Sequence, residues 1–229
     1  MKLRCTPAPR EQLSCWEGRS LNDSSAPGDL LSRATAGDQE ALATLFAHYR
    51  ARLKRMVALR LDRRLRGRVD ASDVLQEAYL DLAKRAPEFL ARPTMPFFLW
   101  LRLLTGQRLL AIHRKHFKAK MRDAGQEVAL QRGAMPPASS ASLAARLLGR
   151  LTTPSQAAIR AELRLRLQEA LNGMDTIDRE VLVLRHFEEL SNGETAAVLG
   201  LQPAAASNRY VRALKRLRGL LAGMPGFFN

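Results

Sequence analysis

The sequence predicts an all-α protein of two small helical domains joined by a flexible linker, the C-terminal one a helix-turn-helix. Three observations lead there. Apolar residues recur at helical spacing along most of the chain, and no stretch alternates as a strand would. A run of Gly, Pro and Ser interrupts that period once, between residues 123 and 158. The segment Leu190–Leu201, followed by a helix rich in cations, has the spacing of two helices meeting at a tight turn.

Taken in order, residues 1–27 carry Pro7, Pro9, Pro27 and scattered Ser, and read as a mobile leader. Helical periodicity begins near Asp29 with Leu30 and Leu31. Asp38 is placed to cap a second helix bearing Ala41, Leu42, Leu45, Phe46 and Tyr49. Another helix is expected through Leu53, Met56, Val57 and Leu61. Asp70-Ala71-Ser72-Asp73 gives an N-cap with acid in the first turn, and the helix after it buries Val74, Ala78, Tyr79 and Leu82. Pro87, Pro93 and Pro96 confine the next stretch to turn and loop, before a long helix from Phe97 into a basic run.

These elements make a first domain over residues 28–122. Residues 123–158 form the linker, with a short helix near Leu143–Leu148. Periodicity resumes from Ala158 through Leu163, Leu167, Leu171, Met174 and Ile177, then Val181, Leu182 and Leu184. This second domain covers 159–222, leaving 223–229 as a tail. Within it, Ala196 suits a close helix crossing, and Gly200 can take the positive φ that ends a helix. Pro203 fits the first turn of the next helix, where a missing N–H costs nothing. The charged residues from there to Arg218 are all basic: Arg209, Arg212, Lys215, Arg216 and Arg218. Such a helix can lie in a major groove.

The 229 residues hold 37 Lys and Arg against 22 Asp and Glu, a net charge of +15 that favours a polyanionic partner. Residues 97–122 contribute seven cations and no acid, so the surplus is a patch. There Phe98, Trp100 and Leu101 precede Arg102, Arg108, Arg114 and Lys115. Aromatic rings can stack on unpaired bases while cations hold the backbone, although Phe98, Leu101 and Leu109 at helical spacing also suit a core, and a basic amphipathic helix suits a membrane surface. Cys5, Cys15 and the four His match no metal-ligand spacing, so neither metal, cofactor nor disulfide is expected. No Gly-rich phosphate loop, His-Glu metal motif or nucleophile elbow argues for an enzyme, and no catalytic residue is assigned. No signal peptide or spanning segment is apparent, which predicts a soluble cytoplasmic protein.

Four stretches, in order, resemble the extracytoplasmic-function (ECF) class of bacterial RNA polymerase sigma factors. They are Ala36–Phe46; Asp73-Val74-Leu75-Gln76-Glu77-Ala78-Tyr79-Leu80; Phe98-Leu99-Trp100-Leu101 with the basic helix; and Asp178–Leu182 with Leu190–Leu217. The resemblance implies a sigma-type initiation factor that binds core RNA polymerase and directs it to −10 and −35 promoter elements, aiding strand opening. Asp73, Gln76, Glu77, Leu80 and Asp81 would then dock on the polymerase. Trp100, Arg102, Gln107, Arg108, His113, Arg114 and Lys115 would face the melted −10 strand. Ser207, Asn208, Arg209, Arg212, Lys215 and Arg216 would enter the −35 major groove, with Arg209 and Arg212 on one face as guanine readers. An anti-sigma protein is a further partner the family allows. Two other readings of the residues stay open: a helix-turn-helix regulator independent of core polymerase, and a basic helical protein that binds RNA or a membrane surface.

Overall fold

The computed structural model describes residues 28–65, 67–117, 135–149 and 157–222. The expected leader, the tail and most of the expected linker lie outside them. The helices are α1 (Gly28–Thr35), α2 (Gln39–Arg60), α3 (Ala71–Ala91), α4 (Phe97–Phe117), α5 (Ser140–Gly149), α6 (Ala157–Asn172), α7 (Thr176–His186), α8 (Asn192–Leu199) and α9 (Pro203–Ala222), with a 3-10 turn at Arg63–Leu65. No strand occurs among the described residues. None of these helices is long and apolar enough to cross a membrane.

The described residues up to His48 and those from Tyr49 on form two compact units. In the first, Asp38 caps α2 through its Oδ1, which accepts from the amides of Glu40 and Ala41 at 2.9 and 3.0 Å. The Ala41 amide, then the Arg33 guanidinium at 2.6 Å from Oδ2, hold the Asp38 carboxyl below the usual carboxylate range. Ala41, Leu42, Leu45 and Phe46 are buried. The two helices expected between Asp38 and Leu61 are one. Nothing between Tyr49 and Leu53 caps or breaks a helix, so propagation is favoured over a second nucleation.

In the second unit, Asp70 caps α3 and accepts from Ser72 and Asp73, while the Asp73 carboxylate accepts from the Asp70 amide at 2.8 Å. The helix then runs through Pro87 to Ala91, where a turn was expected. Pro87 sits on an exposed face, one turn from the end, and the helix keeps Ala86 and Phe89 buried beyond it. Phe89 stacks on Trp100 of α4 with centroids 4.0 Å apart and planes 3° apart, a well-formed aromatic pair.

The helix expected near Leu143–Leu148 is α5, and it is core. Leu143, Ala144 and Leu148 pack with Leu163, Leu167, Leu171, Leu182, Phe187 and Ala213, and with Leu59 of α2. The Ser139 amide donates to the Leu59 carbonyl at 3.0 Å. Ser191 caps α8 in a capping box with Glu194. Gly200 takes φ +65° at its end, and α9 opens on Pro203. The Asn192 amide group donates to the Pro203 carbonyl at 2.9 Å, tying the two helices of the turn together.

Two stability measurements follow from this packing. Leu143→Ala should cost about 2–5 kcal/mol in urea unfolding, as a core leucine does, whereas a linker residue would cost almost nothing. Ser191→Ala should cost about 1 kcal/mol by removing one half of the capping box.

Candidate nucleic-acid interface

Helix α9 presents Ser207, Asn208, Val211, Arg212 and Lys215 to solvent. These positions fall on one side of a 3.6-residue helix near its first turns, the part that reaches base edges in a major groove. Arg209 was expected beside Arg212. Its Nη1 instead donates to Asp178 Oδ1 at 2.7 Å, with Asp175 at 3.5 Å. Asp175 is itself the N-cap of α7. The amides of Asp178 and Ile177 hold its carboxyl below the usual range, with Arg209 adding to the effect. Arg216 donates to the Gly173 carbonyl at 2.6 Å. Two of the six expected −35 residues thus spend donors on the junction between α6 and α7.

The α4 set divides more sharply. Gln107, Arg114 and Lys115 are exposed and share a side of the helix with Leu103 and Ala111. Arg85 donates to the Gln107 side-chain oxygen at 3.1 Å. Arg108 is held by Asp81 and by Glu77, the latter at 3.3 Å. His113 is half-buried with Nε2 3.5 Å from the Asp62 amide, and burial pushes its pKa below the ordinary histidine value, so it is no phosphate cation at neutral pH. Trp100 and Arg102 were expected to face a melted strand, and both are buried. Phe89 covers the indole, and Arg102 neutralises a carboxylate.

On α3, Asp73, Gln76, Glu77 and Leu80 lie at i, i+3, i+4 and i+7, all exposed. Leu80 keeps 59% of its surface in solvent. Asp81, expected with them, is turned partly inward by its pairing with Arg108.

Sequence reasoning missed an ionic cluster centred on Glu188, in the connection between α7 and α8. Its carboxylate has 1% of its side chain exposed and pairs with Arg60, and with Arg102 at 2.6 Å. Arg60, fully buried, also pairs with Glu180. Burial opposes ionisation of Glu188, but Arg60 and then Arg102 outweigh it and hold the carboxyl below its ordinary value. For Arg60, burial is likewise outweighed, by Glu180 and Glu188, and its pKa is raised. Around this pair, Arg52 and Arg55 grip the backbone carbonyls of residues 187–189.

A family model described as sigma-70, region 4 matches residues 164–217. The ECF RNA polymerase sigma factor SigD of Mycobacterium tuberculosis is 29% identical over 189 residues, covering 82% of this chain and 81% of that protein. The ECF sigma factor ShbA of Streptomyces griseus is 29% identical over 195 residues, covering 84% and 94%. A solved structure of CnrH in complex with the cytosolic domain of CnrY superposes with a TM-score of 0.50 at 25% identity, covering 86% of this chain and 98% of that one. Over most of its length the chain is thus similar to extracytoplasmic-function RNA polymerase sigma factors, and residues 164–217 match their region 4.

Removing Glu188 leaves Arg60 and Arg102 buried with one carboxylate fewer. Glu188→Ala should therefore cost about 3–5 kcal/mol in denaturant unfolding. Because its folded pKa is depressed, the stability Glu188 contributes is complete above the unfolded carboxylate value. It is lost as pH falls through the lower folded value. Unfolding free energy measured across that acid range should fall less steeply in Glu188→Gln than in the native chain.

Proposed function

We propose that the chain is a sigma factor that binds core RNA polymerase through the exposed side of α3 and places α9 on an upstream promoter element. The tip of α4 then engages DNA near the start site and aids its opening. The observation that carries the reading is the α3 stripe of Asp73, Gln76, Glu77 and Leu80. An apolar side chain held in water between carboxylates suits a protein partner with basic and apolar character. Residues 28–122 and 159–222 act as the polymerase-and-opening and upstream-recognition modules. On α4, Gln107, Arg114 and Lys115 are the residues placed to meet DNA, and on α9 they are Ser207, Asn208, Arg212 and Lys215. CnrH was solved with the cytosolic domain of CnrY, and a regulatory protein partner fits this reading too.

The purified chain should co-elute with bacterial core polymerase on size exclusion, and Glu77→Arg should abolish the complex. Native chain that elutes apart from a cognate core enzyme would overturn the proposal in favour of an independent DNA-binding regulator. Arg212→Ala should weaken binding to a cognate promoter duplex by about 1–3 kcal/mol if it reads a base. An equal loss on every sequence would reduce Arg212 to a phosphate contact.

A further inference from the structure

We propose that the Phe187–Leu190 loop is an internal anionic ligand for an arginine site on α2 and α4. This site takes the sugar-phosphate backbone of DNA once the loop lifts out. For the identity of the nucleic acid the inference rests on the sigma-factor reading; the site's geometry does not. Four guanidinium groups from α2 and α4 converge on the loop, which also accepts from Arg185 of α7 at the Leu190 carbonyl. Arg52 donates from Nε and Nη2 to the Glu188 and Glu189 carbonyls at 3.1 and 3.0 Å. Arg55 donates to the Phe187 carbonyl at 3.2 Å and pairs with the Glu189 carboxylate at 2.8 Å. Arg60 and Arg102 hold the two oxygens of the Glu188 carboxylate. Arginines fanned over anionic oxygens are what recognition of a phosphate backbone requires.

The loop does not exhaust the site. Arg60 has no exposed side-chain surface, yet its Nε has no hydrogen-bond partner. Among the described residues, three carboxylates, those of Glu180, Glu188 and Glu189, pair with these cations. Glu189 also sits at φ +59°, a left-handed conformation that is unfavourable for a residue with a Cβ. Leaving the site relieves that strain. Arg102 connects the cluster to the DNA-facing helix, since Gln107, Arg114 and Lys115 lie further along the same α4. While Glu188 is seated, Arg102 is out of reach of DNA, and apparent affinity is reduced by the fraction of chains that are open.

The experiment compares the full chain with Glu188→Gln/Glu189→Gln, and with the exposed rim variant Glu189→Gln should the double variant fold poorly. Glu162→Gln/Glu169→Gln, on the exposed face of α6, is the charge-matched control. Domain separation is read by energy transfer between dyes at Lys54→Cys and Thr176→Cys, with Cys5 and Cys15 replaced by Ser. DNA binding is read by anisotropy on a mixed-sequence duplex over a salt series. The loop variants should lose energy transfer, bind roughly tenfold tighter and show a steeper salt dependence, while the control gains much less. Adding Arg102→Ala to an opened variant should remove most of the gain. Opening without a gain beyond the control overturns the DNA site, and unchanged energy transfer in both loop variants overturns the latch. Core-polymerase co-elution of the same proteins separates these failures from failure of the sigma reading itself.

Discussion

A carboxylate with almost no contact with water must be neutralised where it stands, and Glu188 meets that requirement with arginines from two different helices. Arg60 comes from the end of α2 and Arg102 from the second turn of α4, so one carboxylate fixes both relative to the connection between α7 and α8. The rest of the second unit is arranged around that fixed point. Leu59, adjacent to Arg60, enters the same core as α5, α6 and α7, and Glu180 reaches from Arg60 to the Ala138 amide at 3.2 Å. Isolated ion pairs in a protein interior seldom add stability over apolar packing, and their better-supported role is in selecting one arrangement among several. The charges here tie α2, α4 and the connection between α7 and α8 to one carboxylate.

The electrostatic consequence is a narrower recognition surface than composition suggests. Arg33, Arg52, Arg55, Arg60, Arg64, Arg102, Arg108 and Arg209 all have carboxylate or carbonyl partners within the chain. A net charge counts each of them as though it faced a polyanion. Among the described residues, the exposed cations on the two helices of interest include Arg212 and Lys215 on α9 and Lys115 on α4. A face with few cations and several neutral polar side chains leans on shape and base contacts more than on counterion release.

What the sequence discloses is what local chemistry decides. Asp38 and Asp70 as caps, Gly200 at positive φ and Pro203 opening a helix each depend on a few neighbouring residues, and each stands where the sequence places it. Two local signals went unread. Ser191 and Glu194 have the spacing of a capping box, and α8 opens there. Arg60 falls on the face of Leu53, Met56 and Val57, so periodicity marks a cation on the buried side of its helix. Other features had no local signal. That Trp100 lies under Phe89, that Arg102 meets a carboxylate 86 residues away, or that α5 joins a core rather than a tether depends on contacts between distant segments. Residue type at a family position records what a side chain can do, while its partner in the folded chain decides whether it is available.

Pro87 has a consequence beyond the length of α3. With no amide hydrogen there, the last turn of that helix is one hydrogen bond short, two residues before the one whose ring covers Trp100. Fraying that begins at Pro87 and reaches Phe89 therefore uncovers the indole at the start of α4. With Trp16 replaced by Phe, the emission of Trp100 is thus an intrinsic optical gauge of how tightly the end of α3 is closed over the start of α4, available without any label.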